Sequence, residues 1–153
     1  MFYGNKELTI DDKGRLVLPA LYRNEFQGGI CFACYGLDIC IELYPEETYR
    51  KKADKITSLN DFNETARKVK RTFLSNTFDV QIDSHNRILL PKPLVEKTKT
   101  GKKVVAVGMY DHLEIWDSDA YAKRSEQEEE SYPADADQLI GTDKWPLTTS
   151  TIR

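Results

Sequence analysis

Two ten-residue stretches of the chain match each other: residues 10–19 read IDDKGRLVLP, and residues 82–91 read IDSHNRILLP. The offset that places the first stretch on the second also aligns, without a gap, two later glycines and a tyrosine with identical residues. A fixed internal period is the signature of a repeat architecture. The sequence therefore predicts two homologous units, at about residues 1–50 and 73–122.

Each unit has the residue pattern of four strands and one helix. A proline follows the second apolar run in both units, where it suits the first turn of a helix. The predicted elements, given for the first unit and then the second, are strands at 6–10 and 78–82, strands at 15–18 and 87–90, helices at 20–27 and 92–99, strands at 30–35 and 102–107, and strands at 39–44 and 111–116. Four strands leave sheet edges and an apolar face uncovered, and one unit would therefore not be stable alone. We therefore expect a mixed α+β fold in which the duplicated units pair as one pseudo-twofold barrel, with flanking helices.

Helical patterns and a polar tail account for the rest of the chain. Residues 46–56 and 67–74 favour helices, the second with a basic face, and residues 118–131 favour a helix that ends in an acidic run. From Pro133 onward the sequence is polar and aperiodic, and we expect it to be mobile. The predicted boundaries are a first repeat at 5–47, a helical connector at 48–75, a second repeat at 76–119, a C-terminal helix at 120–132 and a flexible tail at 133–153.

The turn between the first two strands carries the same D-x-x-x-R spacing in both units. Asp11 precedes Arg15 by four residues, and Asp83 precedes Arg87 by four. Aspartate is a good turn initiator because its carboxylate accepts hydrogen bonds from nearby backbone N–H groups. Gly14 in the first turn is replaced by an asparagine, Asn86, in the second, and these are the residue types that best tolerate a positive φ.

These turns are also the candidate binding residues. Lys13 and Arg15 lie close together on the first turn, and His85 with Arg87 on the second. Arginine suits bidentate contact with guanine or phosphate, whereas lysine supplies a point charge. Because His85 is mostly neutral at pH 7, the second turn is expected to bind more weakly. The competing interpretation is that each arginine only fastens its own turn through the aspartate.

The overall charge of −3 argues at first against nucleic acid. Residues 1–116, however, hold 18 Lys and Arg against 16 Asp and Glu, and residues 117–153 hold 4 against 9. The acidity therefore belongs to the C-terminal segment, and a focused basic surface remains compatible with DNA binding. No apolar run approaches the roughly 20 residues of a membrane helix, and the N-terminus lacks signal-peptide features, so we expect a cytoplasmic protein with no membrane partner.

The three cysteines do not form a metal-binding pattern. Cys31 and Cys34 have the C-x-x-C spacing, but a structural zinc site needs four ligands, and the sequence has no second cysteine pair. On a strand, their odd spacing sends the two side chains to opposite faces. We expect buried or half-buried thiols in a reducing compartment, with no metal and no cofactor.

The combined motifs resemble the MraZ family. The resemblance rests on MFYG at residues 1–4, the two turn stretches at 11–19 and 83–91, and HLEIWD at residues 112–117, and it extends to about residue 130. The final segment departs from the family pattern.

This resemblance implies tandem SpoVT-AbrB-like swapped-hairpin units that assemble into a ring-shaped homo-oligomer. It further implies binding to short G-rich direct repeats in double-stranded DNA upstream of the division and cell-wall gene cluster. Regulation of that cluster and of the protein's own promoter, on the nucleoid, would follow. Carried over to this chain, the DNA-facing residues are Lys13 and Arg15, then Arg87 with His85.

Two other classes of function compete with a regulator. An enzyme is disfavoured because the sequence has no nucleophile triad, no P-loop and no zincin motif, and a small-molecule substrate is not expected. Asp11 and Asp83 could be taken as paired carboxylates, but a neighbouring arginine keeps each ionised, which is unsuitable for a general acid. The second alternative is a protein-interaction or scaffold ring, antitoxin-like, that does not bind DNA. Tyr44 and Trp116 fit packing or a subunit interface in either case.

Overall fold

The strands and helices follow the duplication in the sequence. They were located in a computed structural model that describes residues 1–141. The elements are β1 (Asn5–Thr9), β2 (Arg15–Val17), α1 (Ala20–Arg23), β3 (Ile30–Tyr35), β4 (Ile41–Tyr44), α2 (Glu46–Thr57), α3 (Glu64–Ser75), β5 (Thr77–Gln81), β6 (Arg87–Leu89), α4 (Lys92–Thr98), β7 (Lys103–Gly108), β8 (Leu113–Asp117) and α5 (Ser118–Leu139). The mixed α+β class is confirmed.

Strand pairing crosses between the repeats. The main sheet has the order β1-β7-β8-β4-β3-β5, and all of its neighbours are antiparallel. The first strand of each repeat thus pairs with the β-hairpin of the other repeat, β1 with β7 and β5 with β3. A second, two-stranded sheet pairs β2 with β6. When each strand is replaced by its counterpart in the other repeat, the strand order of each sheet is the same order read from the opposite end. A pseudo-twofold relation between the repeats requires this.

The core lies between the two sheets and under α1 and α4. It contains the inward side chains of β2 and β6, Leu16 and Ile88, both fully buried, together with Leu43 and Leu113 from the central pair β4–β8. Burying each such side chain contributes roughly 1.5–3 kcal/mol. The core therefore draws equally on both repeats.

The cysteines occupy both sides of the main sheet, as their spacing predicts. Cys31 belongs to the large core, whereas Cys34 packs with Tyr44 and Phe73 in a smaller cluster beside α2 and α3. Both are buried free thiols, and burial raises the pKa of Cys31 to about 12 and that of Cys34 to about 11. Neither is poised as a thiolate nucleophile.

Two predicted helix bounds were wrong. The helix expected at 20–27 ends at Arg23, and the chain then passes through Gly28 and Gly29, whose φ values of 74° and 68° are left-handed. The C-terminal helix does not end at residue 132, because α5 continues through Pro133 to Leu139. A proline removes one backbone donor but did not end this helix. The rest of the expected flexible tail, residues 142–153, lies outside the described residues.

The chain divides into two compact units, residues 1–118 and the segment from residue 119 onward that contains most of α5. Of the helices within residues 1–141, none combines the length and the apolar character needed to cross a membrane.

Candidate nucleic-acid interface

The first D-x-x-x-R turn is fastened by a single carboxylate. Asp11 Oδ1 accepts hydrogen bonds from the backbone N–H groups of Lys13 and Arg15, both at 2.9 Å. Asp11 Oδ2 accepts a 2.8 Å hydrogen bond from Arg15 Nε. Gly14 closes the turn at a φ of 81°, with its N–H donating to the Asp11 carbonyl at 3.0 Å. The aspartate therefore orients both the turn backbone and the guanidinium group.

The second turn repeats this arrangement. Asp83 Oδ1 accepts from the backbone N–H groups of His85 and Arg87 at 2.8 and 2.9 Å, and its Oδ2 accepts from Arg87 Nε at 2.8 Å. Asn86 takes the left-handed position, with a φ of 60°. The geometry of the turn is thus the same in both repeats, although only two of its five residues, the aspartate and the arginine, are identical.

Hydrogen bonds lower the pKa of both carboxyl groups. For Asp11 the largest cause is the backbone N–H of Arg15, and for Asp83 it is the backbone N–H of Arg87; the guanidinium groups add to both shifts. A general acid needs the opposite displacement, a raised pKa. The two aspartates are therefore suited to structuring their turns and not to donating a proton.

The β2–β6 ladder brings the two arginines onto one surface. Arg15 lies opposite Leu89, and Arg87 lies opposite Val17. Since residues two apart on a strand share a face and cross-strand partners point the same way, both arginines project from the outer face, opposite the buried Leu16 side. The two arginine Cα atoms are then about 8 Å apart by strand geometry.

Each arginine side chain is partly exposed. The side chains of Arg15 and Arg87 are each 28% exposed. Within residues 1–141, only Nε of each guanidinium is engaged, by the aspartate, and the terminal Nη groups donate no hydrogen bond to the protein. Both guanidinium groups can therefore present a donor pair to a ligand.

The tips of the turns differ in which charged residues they carry. The first turn carries the exposed Lys13, and the neighbouring Asp12 is paired with Lys102, whose Nζ lies 2.8 Å from Asp12 Oδ1. This hydrogen bond raises the pKa of Lys102. In the second turn the corresponding positions are Ser84 and His85, whose Oγ and Nδ1 atoms lie 3.3 Å apart. The first turn therefore offers the stronger positive field.

A buried polar cluster on the central strands was missed by sequence reasoning. Glu42 and Glu114 are paired directly across β4–β8 and are 7% and 9% exposed. Lys52 Nζ donates to Glu42 Oε1 at 2.8 Å, and Trp116 Nε1 donates to Glu114 Oε1 at 2.9 Å. Both glutamates occupy the same position of the repeat, and this match in the internal alignment could have marked them as candidates. Burial could not be inferred, because a glutamate on a strand is ordinarily read as solvent-facing.

The same cluster is the only group among the described residues with the donor set of a metal site. Ligand atoms of Glu42, His112 and Glu114 lie within 4.8 Å of one another. The ring of His112 also stacks on Tyr44 at 4.6 Å, and its Nδ1 lies 2.7 Å from Asp111 Oδ1. The Lys52 ammonium group forms an ion pair with Glu42, so a cation of the protein itself offsets part of the negative charge of the cluster.

Comparison with known proteins agrees with the duplication. A family model described as "MraZ protein, putative antitoxin-like" matches the chain twice, over residues 1–72 and 73–143. Proteins called "Transcriptional regulator MraZ" are similar along most of the chain. The one from Mycoplasmoides gallisepticum is 38% identical over 126 residues, which cover 82% of this chain and 88% of that protein.

Two further relatives with the same name cover more of the chain. The protein from Cytophaga hutchinsonii is 32% identical over 146 residues, 94% of this chain and 97% of its own length. The protein from Moorella thermoacetica is 35% identical over 144 residues, 94% of this chain and 99% of its own. With both repeats matched by the family model and with these relatives similar over most of their length, the chain belongs to the MraZ family.

Proposed function

We propose that this protein is a sequence-specific DNA-binding transcriptional regulator that contacts double-stranded DNA through its two D-x-x-x-R turns. The observation that carries the proposal is the common outer face of the β2–β6 ladder, which presents Arg15 and Arg87 with Nη groups that have no partner within residues 1–141. The relatives are named transcriptional regulators, which supports the same function.

The two turns have unequal roles in this proposal. Arg15 reads a base edge or clamps a phosphate, held in position by Asp11, while Lys13 adds a charge near the DNA backbone. Arg87 does the same from the second turn, where His85 stands at the position of Lys13 and supplies hydrogen bonding. The first turn therefore contributes most of the affinity.

The target and the assembly follow from the family resemblance. We propose that the operator consists of G-rich direct repeats upstream of the division and cell-wall gene cluster, which includes the protein's own promoter. Several copies would form a ring. Each copy would be a pseudo-twofold swapped-hairpin barrel, which the crossed pairing of β1 with β7 and of β5 with β3 supports. A ring that meets equally spaced repeats gains avidity without new contacts, which a nearly neutral body requires. A regulator of this kind acts in the cytoplasm, at the nucleoid.

A mobility-shift titration tests the function. The probe is a duplex with G-rich direct repeats, assayed at two salt concentrations with wild type and Arg15→Ala. We expect the substitution to weaken binding at least tenfold, because one good bidentate contact is worth about 1–3 kcal/mol. Arg50→Ala is the matched control, since Arg50 is an exposed arginine on α2, paired with Glu46 and far along the chain from both turns.

Folding and oligomer size should be unchanged in both variants, as judged by circular dichroism and light scattering. Equal binding by wild type and Arg15→Ala would remove Arg15 from the contact surface. Failure of wild type to shift the probe at low salt would contradict the regulator and favour a scaffold ring.

A further inference from the structure

Two apolar side chains stand exposed between the arginines. Val17 is 50% exposed and Leu89 is 58% exposed, whereas their strand neighbours Leu16 and Ile88 are fully buried. A single exposed apolar residue needs no explanation. Here, however, two occupy equivalent positions of the repeats, on the surface that carries both arginines.

The register places each apolar side chain beside the arginine of the other repeat. The backbone bonds from Leu18 N–H to the Asn86 carbonyl and from Leu90 N–H to the Gly14 carbonyl flank the ladder. The intervening pairs, Arg15 with Leu89 and Val17 with Arg87, are thus of the non-hydrogen-bonded type, in which side chains approach most closely.

Leu89 also packs over the opposite turn. A Cβ atom built on Gly14 would lie 3.5 Å from Leu89 Cδ1, so the leucine lies directly above the glycine of the first turn. The outer face of β2–β6 is therefore a compact set of four side chains in which cationic and apolar groups alternate from one strand to the other.

This combination matches the chemistry of one groove. The major groove of B-DNA admits a two-stranded β-ribbon and presents guanine acceptors to arginine and the thymine C5-methyl group to apolar side chains. The separation of about 8 Å between the arginine Cα atoms corresponds to two to three base pairs at about 3.4 Å per step. An apolar protein partner is less suited to this face, because an arginine lies directly across the ladder from each of the two apolar residues.

We propose that Val17 and Leu89 contact thymine methyl groups in the major groove and so determine part of the sequence specificity. The inference rests on the proposed DNA-binding function. It assigns thymines to positions beside the guanines that the arginines read.

Removing single methyl groups from the DNA tests this inference. Wild-type protein first selects its site from a randomised duplex library, and each thymine of the selected site is then replaced in turn by uracil. We expect at least one replacement to weaken wild-type binding about fourfold, the equivalent of one buried methyl group. Fluorescence anisotropy with labelled duplexes measures the change.

The variants show which side chains sense the methyl group. Val17→Ser/Leu89→Ser, which leaves no methyl group at either position, should bind the thymine and uracil duplexes within about twofold of each other. Leu37→Ala, which changes a fully exposed leucine between β3 and β4, should keep the wild-type preference.

Each other outcome counts against a specific claim. If wild type binds every uracil duplex as tightly as the thymine duplex, the inference is overturned, while Arg15-dependent binding would leave the proposed function standing. If the double variant keeps the thymine preference, these two side chains do not read it. If no duplex is selected at all, the DNA-binding function itself is contradicted. The uracil series uses wild-type protein, so it can overturn the inference even if the double variant does not fold; in that case Val17→Ser and Leu89→Ser, made singly, identify the side chain that senses the methyl group.

Discussion

The two D-x-x-x-R turns have the same geometry but carry different residues at their tips. Asp11 and Asp83 accept equivalent sets of three hydrogen bonds, all of them at 2.8 or 2.9 Å. Lys13 on the first tip corresponds to His85 on the second. The aspartate, the arginine and one residue in the left-handed conformation therefore fix the backbone of the turn. The residues at the tip can change the electrostatic field without changing the fold.

The largest expected effect concerns the shared framework beneath the turns. Leu16→Ala and Ile88→Ala should each lower the free energy of unfolding by about 2–5 kcal/mol, because both leave a cavity in the core. The two losses should be similar, since the positions are equivalent. Urea denaturation measures them, with Val17→Ala as an exposed control on the same strand. A loss below about 1 kcal/mol in one repeat alone would show that the halves are not equivalent in packing.

A smaller effect should come from equalising the tips. His85→Lys gives the second turn the charge of the first, so DNA affinity should rise about two- to fivefold at low salt. The slope of log affinity against log salt concentration should steepen by about 0.9 for each copy whose added lysine neutralises one more phosphate. Titrations at several salt concentrations measure both quantities. An unchanged slope would mean that the second tip does not approach the DNA backbone.

The smallest effect is the pH dependence of the turns. Because the pKa values of Asp11 and Asp83 are lowered in the folded protein, their ionised forms stabilise the fold above the unfolded aspartate pKa of about 3.9. That stabilisation is lost as the pH falls through the folded pKa values. Asp11→Asn/Asp83→Asn should therefore show a flatter dependence of stability on pH below about 4. Parallel curves for wild type and the double variant would contradict the role of these carboxylates.

The sequence predicts the turns well because their determinants are local. The constant offset between the repeats locates both aspartates, and the exchange of Gly14 for Asn86 marks the left-handed position.

The sequence could not predict features that depend on distant segments. Nothing near β1 indicates that it pairs with β7, which belongs to the other repeat, and the burial of Glu42 depends on Lys52 from α2. α1 ends at Arg23, and the chain has left the helical conformation by Phe26, whose φ of −98° and ψ of 101° are extended. The passage of α5 through Pro133 runs against the ordinary expectation that proline ends a helix.

The pairing of β2 with β6 has a consequence for how this chain can vary. The spacing between Arg15 and Arg87 is fixed by three residue pairs of one ladder and not by the segment that joins the repeats. Insertions or deletions in the loop between α2 and α3 would leave that spacing intact, whereas a single-residue slip in either short strand would turn an arginine toward the interior. Length changes should therefore be tolerated in the connector and excluded from the two three-residue strands.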